Sequence, residues 1–223
     1  MSANTAITAG GSNLSKRPLW VLASLIVVSV LVWRFPLFHV VSLRQAQKQQ
    51  QNTAFDAAAT ARAFWQDKIL PASEHGIGLT ELWKALATDP TAARKKFGHS
   101  PGISSVTCFL IQGSGKISKV EKDAVQLTLD SSNPELMELS TSLVFGNAVR
   151  DCTGLLNGSD FANSQDFNNI SAELNHIVET EVIPPLRRMA TPGKTVRFGG
   201  CIELDDGDLP KVPRLIPIKV SSE

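Results

Sequence analysis

The chain of 223 residues has no tyrosine, only three cysteines and only four histidines. Cys108, Cys152 and Cys201 show no CxxC spacing, and the histidines are scattered without the spacing of metal ligands. The histidines are His39, His75, His99 and His176. The sequence therefore predicts neither a metal site nor a bound cofactor. An odd number of cysteines permits at most one disulfide, and each cysteine is equally interpretable as a small buried apolar residue.

Basic charge and exposed aromatic residues, which nucleic-acid binding requires, are scarce as well. The only charged residues before position 42 are Lys16, Arg17 and Arg34. From Ser42 onward the chain has 19 Lys and Arg and 21 Asp and Glu, so this part carries a net charge of −2. Phe109, Phe145 and Phe198 fit core positions better than stacking positions. We therefore expect no nucleic-acid partner.

A charge-free apolar run from Leu19 to Trp33 lies near the N-terminus. A bilayer core needs about 20 apolar residues, a length that is reached if Arg34 snorkels and the run continues to Val41. We interpret residues 1–17 as a disordered cytoplasmic tail, 18–41 as a transmembrane signal anchor and 42–52 as a polar spacer.

A cleaved signal peptide is the alternative for this N-terminal segment, because a basic stretch before an apolar core is also its signature. The residues that follow, Trp33-Arg34-Phe35-Pro36, are a poor cleavage site. Basic residues flank both ends of the run, so charge alone does not settle the orientation in the membrane.

Residues 53–102 predict a small helical subdomain rich in good helix formers. The first helix is expected to end at Pro71, and a second to begin at Thr80, whose hydroxyl would cap it. Asp89-Pro90 is typical of an N-cap followed by the first helical residue. This third helix is expected to end at Phe97-Gly98.

Residues 103–223 show strand-like alternation. The predicted strands are 106–121, 124–130, 143–150, 195–204 and 214–220. Glycines interrupt the first strand, which would let it bend across two sheets, and one helix falls between strands three and four. This order is typical of an OB-type barrel. The fold class is therefore α+β: a transmembrane helix, a helical subdomain and an OB-like five-stranded antiparallel barrel. The acidic turn at 205–208 lacks the register of an EF-hand and predicts a solvated hairpin.

Polar residues that suit chemistry are concentrated between the predicted strand that starts at Leu143 and an amphipathic helix that follows Ser164 and ends at Pro184-Pro185. Arg150 presents a planar set of five donors that suits a carboxylate, and Asn and Asp side chains pair with sugar hydroxyls. If the strand end and the turn converge, they form a polar pocket. The candidate ligand-binding residues are Asn147, Arg150, Asp151, Asp160, Asn163 and Gln165.

The alternative is that this cluster is structural. Arg150 and an acid such as Asp160 would then tie the turn to the barrel, while Asn163 or Ser164 caps the helix. Asp151 and Asp160 as a glycosidase pair, or a Cys or Ser nucleophile with His176, find no further support in the sequence. We therefore expect no enzymatic activity.

The chain resembles an uncharacterised bacterial family of predicted periplasmic lipoproteins with a domain of unknown function. The resemblance covers Thr53 to Val220 and is carried by FDAAATARAFWQDKILPA from Phe55, LVFGNAVRDCTGLLNGSDFANSQDFNNISAELN from Leu143 and KTVRFGGCIEL from Lys194. It implies a membrane-attached extracytoplasmic domain, often found beside sugar ABC-transporter components. No lipobox cysteine follows the apolar run, so we expect the transmembrane helix to be the tether.

Together these features predict a single-pass protein of the bacterial inner membrane with its soluble domain in the periplasm. The expected function is that of an accessory or ligand-binding protein, for which the resemblance implies a sugar ABC-transporter component or a small carbohydrate as partner. The alternative is a purely structural module that docks on a membrane partner. An open pocket around Arg150 would favour ligand binding, and a closed network would favour docking.

Overall fold

The computed structural model describes residues 55–100, 105–129, 135–207 and 209–223. Phe55–Glu223 form one compact unit. The predicted tail, transmembrane anchor and spacer before Thr53 lie outside the described residues. Within the described ranges, none of the helices has both the length and the apolar character that a membrane span requires.

Seven helices can be numbered along the described chain. They are α1 (Ala57–Phe64), α2 (Leu70–Ser73), α3 (Leu79–Thr88), α4 (Pro90–Phe97), α5 (Ala148–Asp151), α6 (Ser164–Ile177) and α7 (Ile183–Met189). Two π-helical turns, Trp65–Ile69 and Val178–Val182, join α1 to α2 and α6 to α7, and a 3-10 turn occupies Gly158–Asp160.

The six described strands form one sheet that closes into a barrel. They are β1 (Gly98–His99), β2 (Thr107–Val120), β3 (Ala124–Leu129), β4 (Leu136–Ser140), β5 (Thr195–Leu204) and β6 (Arg214–Ser222). The order β2-β3-β4-β6-β5 is closed by pairing of β5 with β2, while β1 pairs with the start of β2. This confirms the OB-like five-stranded barrel. Neighbours are antiparallel except β4 and β6, which pair in parallel.

Two glycines of the long strand β2 lie against large side chains of the barrel interior. A Cβ on Gly113 would lie 3.1 Å from the ring of Phe198, and one on Gly115 would lie 3.1 Å from Leu129. Both glycines therefore leave room for large side chains inside the barrel. The glycine-interrupted strand predicted at 106–121 is confirmed as one continuous strand.

Two apolar clusters hold the unit together. The barrel interior is filled by side chains such as Phe109, Leu127 and Leu139, and Leu82 and Leu86 of α3 belong to the same cluster. The second cluster lies between the outside of the barrel and the helices. It includes Trp65, Val149, Cys152, Leu174 and Cys201. Each large side chain that is fully buried contributes about 1.5 to 3 kcal/mol.

The predicted strand at 143–150 is wrong. Gly146 has φ +80°, a conformation that ends a strand, and the chain continues into α5. The third barrel strand is Leu136–Ser140 instead, with Met137 and Leu139 buried. A run of five residues carries too weak an alternation to be recognised against the longer apolar stretch that follows it.

The expectation that prolines end the first and the amphipathic helices is also wrong. In both cases a π-helical turn precedes the proline. The amide of Leu70 donates to the carbonyl of Trp65, and the amide of Ile183 donates to that of Val178. The following prolines occupy the first turn of a new helical segment, where a missing amide N–H costs little. The helices therefore continue to Ser73 and Met189.

Of the two N-caps predicted for the short helices, one is confirmed and the other is wrong. Asp89 caps α4 by accepting a hydrogen bond from the amide of Ala92 at 2.9 Å, with Pro90 as the first helical residue, as predicted. Thr80 does not cap α3, because Gly78 occupies the N-cap position. Its hydroxyl donates to Glu135 Oε2 at 3.0 Å instead.

Candidate functional site

Arg150 is 3% exposed, and its guanidinium is hydrogen-bonded from several sides. Nε donates to Asp151 Oδ1 at 2.6 Å and Nη2 to Asp151 Oδ2 at 3.0 Å. Nη1 donates to Ser171 Oγ at 2.9 Å. The guanidinium carbon lies 3.7 Å from the centre of the Phe167 ring, within cation–π range. Nη1 also lies 3.5 Å from the carbonyl of Phe167, so four of the five N–H groups of this guanidinium have partners within the protein.

This network ties α5 to α6, because Phe167 and Ser171 both belong to α6. It resembles the structural alternative considered for the cluster, except that the acid paired with Arg150 is Asp151. Asp160 is exposed in the 3-10 turn and takes no part. A buried charge that is paired and hydrogen-bonded fixes the packing of the elements around it.

The other candidate ligand-binding residues are spread over the surface. Asn163 caps α6: its Oδ1 accepts from the amide of Asp166 at 2.8 Å, which confirms the predicted cap. Gln165 donates to Asn169 Oδ1 at 2.8 Å. Asn147 precedes α5 and is exposed. Asn147 and Asp151 line the same cavity.

A disulfide joins Cys152, which directly follows α5, to Cys201 of β5 across 49 residues of sequence, with a Cα–Cα distance of 6.0 Å. Both cysteines are fully buried in the outer cluster. The bond therefore links the same short helix that carries Arg150 to the barrel wall. Disulfides persist mainly in oxidising compartments such as the bacterial periplasm.

A cavity of about 330 Å³ next to this helix is acidic. It is lined by Val106, Cys108, Gly146, Asn147, Asp151, Glu203 and Asp205. The Cys108 thiol donates to Glu203 Oε1 at 3.8 Å. Burial, reinforced by the charges of Glu203 and Asp151, raises the pKa of this thiol to about 12, so it stays protonated at neutral pH and is a poor nucleophile.

The carboxyl group of Glu203 also has a raised pKa, first because of partial burial and then because of repulsion by Asp151 and Asp205. The hydrogen bond from Cys108 opposes that shift. Within the described ranges, no set of three or more His, Cys, Asp or Glu residues is arranged to hold a metal ion.

The most unusual surface feature is the loop that was expected to be a strand. Leu143 is 65% exposed and Phe145 is 77% exposed, whereas Val144 between them is 7% exposed. The amide of Val144 donates to Glu179 Oε1 at 2.8 Å, and Asn175 Nδ2 donates to the carbonyl of Gly146 at 3.0 Å. We call Leu143, Val144 and Phe145 the apolar loop; it is fixed by its buried centre.

A groove of about 700 Å³ lies beside the apolar loop. Its lining consists of Asp123, Thr141, Ser142, Leu143, Phe145, Glu179, Ile183, Pro184 and Arg187. Arg187 Nη2 donates to the carbonyl of Thr141 at 2.7 Å, which braces the start of the loop against α7. One feature of the sequence indicates a loop here and not a strand: Gly146 directly follows the apolar residues Leu143, Val144 and Phe145.

These features define a disulfide-containing OB-fold domain with an outer layer of helices. The chain is similar to the crystal structure of an OB-fold protein from Thermotoga maritima, with a TM-score of 0.65 and 28% identity over 76% of this chain and 99% of that chain. Residues 25–221 match the family described as "Predicted periplasmic lipoprotein (DUF2291)", and the chain belongs to that family. None of the curated proteins matches it.

Membership in this family indicates a periplasmic, membrane-associated protein of unknown function. The disulfide agrees with that location. The resemblance derived from the sequence is confirmed for the family. The association with sugar transport stays a prediction.

Proposed function

We propose that this chain is a non-enzymatic interaction module of the periplasm, which docks on a protein partner at the membrane through the apolar loop. One observation carries the proposal: Val144 is buried and hydrogen-bonded, whereas the large apolar side chains on either side of it are exposed to solvent. Leu143 and Phe145 are exposed by 65% and 77% although the chain between them is pinned to the helical layer.

Exposed apolar side chains on a loop of fixed conformation are well suited to binding a partner. A loop already held in one conformation loses little entropy when a partner covers it. Aromatic side chains that enter a partner's pocket are typical centres of interface energy. Clustered exposed apolar residues on a soluble domain commonly mark an interaction site.

The chemistry around the apolar loop favours a protein over a lipid surface. The groove beside it is concave, so it can receive a side chain or a short segment of a partner. Its charged residues are Asp123, Glu179 and Arg187, which sum to a negative charge and would repel anionic lipids. The expected partner surface therefore combines apolar side chains with a basic group that faces Asp123.

The Arg150 network supports docking over ligand binding as the main function. An open pocket around Arg150 was expected to favour ligand binding and a closed network to favour docking. Arg150 is buried and bound to Asp151, Ser171 and Phe167. A component of a carbohydrate ABC transporter remains the partner suggested by the resemblance. We retain it as the first candidate for the docking partner.

The experiment is a comparison of complex size for the full-length protein extracted from membranes in mild detergent. The parent chain should migrate in a complex, and the Leu143→Ser/Phe145→Ser variant should migrate alone with an unchanged thermal midpoint. Leu155→Ser is the matched control, since Leu155 is 57% exposed but lies outside the groove. Complexes of equal size for all three chains would refute the proposal.

A further inference from the structure

A second cleft, which shares no residue with the apolar loop, lies between the end of α2 and the outer face of β2, β5 and β6. Its volume is about 340 Å³, and its lining includes Glu74, His75, Gln112, Arg197, Lys219 and Ser221. That volume is at the lower end of the range for small-molecule pockets, which favours a small ligand.

The strand register builds the floor of this cleft from two rows of residues. In one row, Gly199 of β5 lies between Gln112 of β2 and Lys219 of β6. In the next, Arg197 lies between Ser114 and Ser221. Directly opposed residues in adjacent strands share a face, so these polar side chains point the same way.

Gly199 is what allows the helix to form the wall. A Cβ at this position would clash with the carbonyl oxygen of Ser73, the last residue of α2. The absence of a side chain therefore brings the helix end, with Glu74 and His75, directly over the strands. The cleft results from this close approach and from the polar rows beside it.

The cleft contains two basic side chains, Lys219 and Arg197, and one acidic side chain, Glu74. Lys219 is paired with Glu74 in an exposed ion pair. The guanidinium of Arg197 is exposed and makes no hydrogen bond or ion pair with any residue in the part of the chain that the structure describes, although its charge helps to lower the pKa of the nearby Glu74 carboxyl. A guanidinium can donate two parallel hydrogen bonds to a carboxylate or to a phosphate. The negative charge of Glu74 in the same cleft repels a doubly charged phosphate more than a singly charged carboxylate, so a carboxylate is favoured.

We propose that this cleft binds a small hydroxylated carboxylate, with the carboxylate on Arg197 and the hydroxyl groups on Gln112 and Ser221. Gln112 offers both a donor and an acceptor, and the Ser221 hydroxyl offers the same pair. The Glu74–Lys219 pair closes the other side and can accept from and donate to further hydroxyls. A neutral sugar of equal size would leave Arg197 unpaired.

The test is a thermal-unfolding titration of the full-length protein with D-glucuronate and gluconate, with D-glucose as the neutral counterpart and inorganic phosphate as the anion without hydroxylated carbons. At about a hundredfold excess over Kd, either carboxylate should raise the midpoint by roughly 5 to 10 °C, and glucose and phosphate should not. Calorimetric titration then gives the affinities. Arg197→Ala should weaken carboxylate binding by roughly 10- to 100-fold.

Arg188→Ala is the matched control, because Arg188 is an exposed arginine outside the cleft, and it should bind like the parent. Arg197→Lys, which keeps the charge but loses the bidentate geometry, should bind with intermediate affinity. Three results would overturn the proposal: no shift with either carboxylate, an equal shift with glucose or phosphate, or a carboxylate shift that persists in Arg197→Ala.

Discussion

Arg150 and Asp151 are adjacent in the sequence and form a buried bidentate ion pair, with Nε 2.6 Å from Oδ1 and Nη2 3.0 Å from Oδ2. Their side chains are 4% and 7% exposed. Ser171 and Phe167 complete the surroundings of the guanidinium from the next helix. The Arg150–Asp151 pair therefore holds α5 against α6.

Arg150→Ala should destabilise the protein by about 3 to 5 kcal/mol, because the Asp151 carboxylate would remain buried without its partner. Urea unfolding of the purified protein measures this loss directly. Arg188→Ala, at an exposed position, should stay within about 0.5 kcal/mol of the parent. An Arg150→Ala chain as stable as the parent would remove the structural role that we assign to Arg150.

The Cys152–Cys201 disulfide should contribute about 2 to 4 kcal/mol, because it closes a 49-residue separation in the unfolded chain. The Cys152→Ser/Cys201→Ser variant should therefore melt at a lower temperature than the parent. Addition of a reductant should lower the midpoint of the parent and of Cys108→Ser, and should leave the double variant unchanged. A reductant-insensitive parent would argue against the bond.

The buried Cys108 thiol should make stability fall at alkaline pH. Its pKa is about 12 in the folded chain against a usual value of 9.0, so the folded state binds more protons than the unfolded state between these limits. The free energy of unfolding must then decrease as pH rises from about 9 to 12. Urea unfolding at pH 8 and pH 10.5 measures the slope, which should be shallower for Cys108→Ser. Equal slopes would contradict the assignment.

The same thiol gives a chemical check at neutral pH. Native protein should not react with iodoacetamide, because Cys108 is buried and protonated. Unfolding without reductant should expose one reactive thiol per chain, and unfolding with reductant should expose three. Rapid labelling of the native chain would show that the Cys108 site is open.

Regular elements with a strong period could be predicted from the sequence. The strand at Thr195–Leu204 has the predicted bounds, and the amphipathic helix predicted after Ser164 is present and buries Ile170, Leu174 and Ile177. The order of three strands, a helix and two strands was also correct, although the third strand is Leu136–Ser140 and not 143–150. The loop around Phe145 could not be predicted, because LVFGNAVR has the local composition of a strand and only its contacts decide otherwise.

Those contacts are distant in sequence. Val144 is fixed by Glu179, which is 35 residues away, and Arg150 by Ser171, which is 21 residues away. Residue type alone placed Arg150 and Asp151 among the candidate residues, but it suggested Asp160 and not Asp151 as the acid that pairs with Arg150. In the same way, the row of Ser114, Arg197 and Ser221 depends on the register of three strands.

The most direct test of docking through the apolar loop is site-specific photo-crosslinking of the full-length protein in intact cells. A photoreactive residue at position 145 should give one discrete protein adduct, and the same residue at position 155 should not. Leu143→Ser should abolish the adduct at 145 with the thermal midpoint unchanged, while Val144→Ser should lower the midpoint. Adducts with lipid alone, equal adducts at 145 and 155, or an adduct that survives Leu143→Ser would contradict the account.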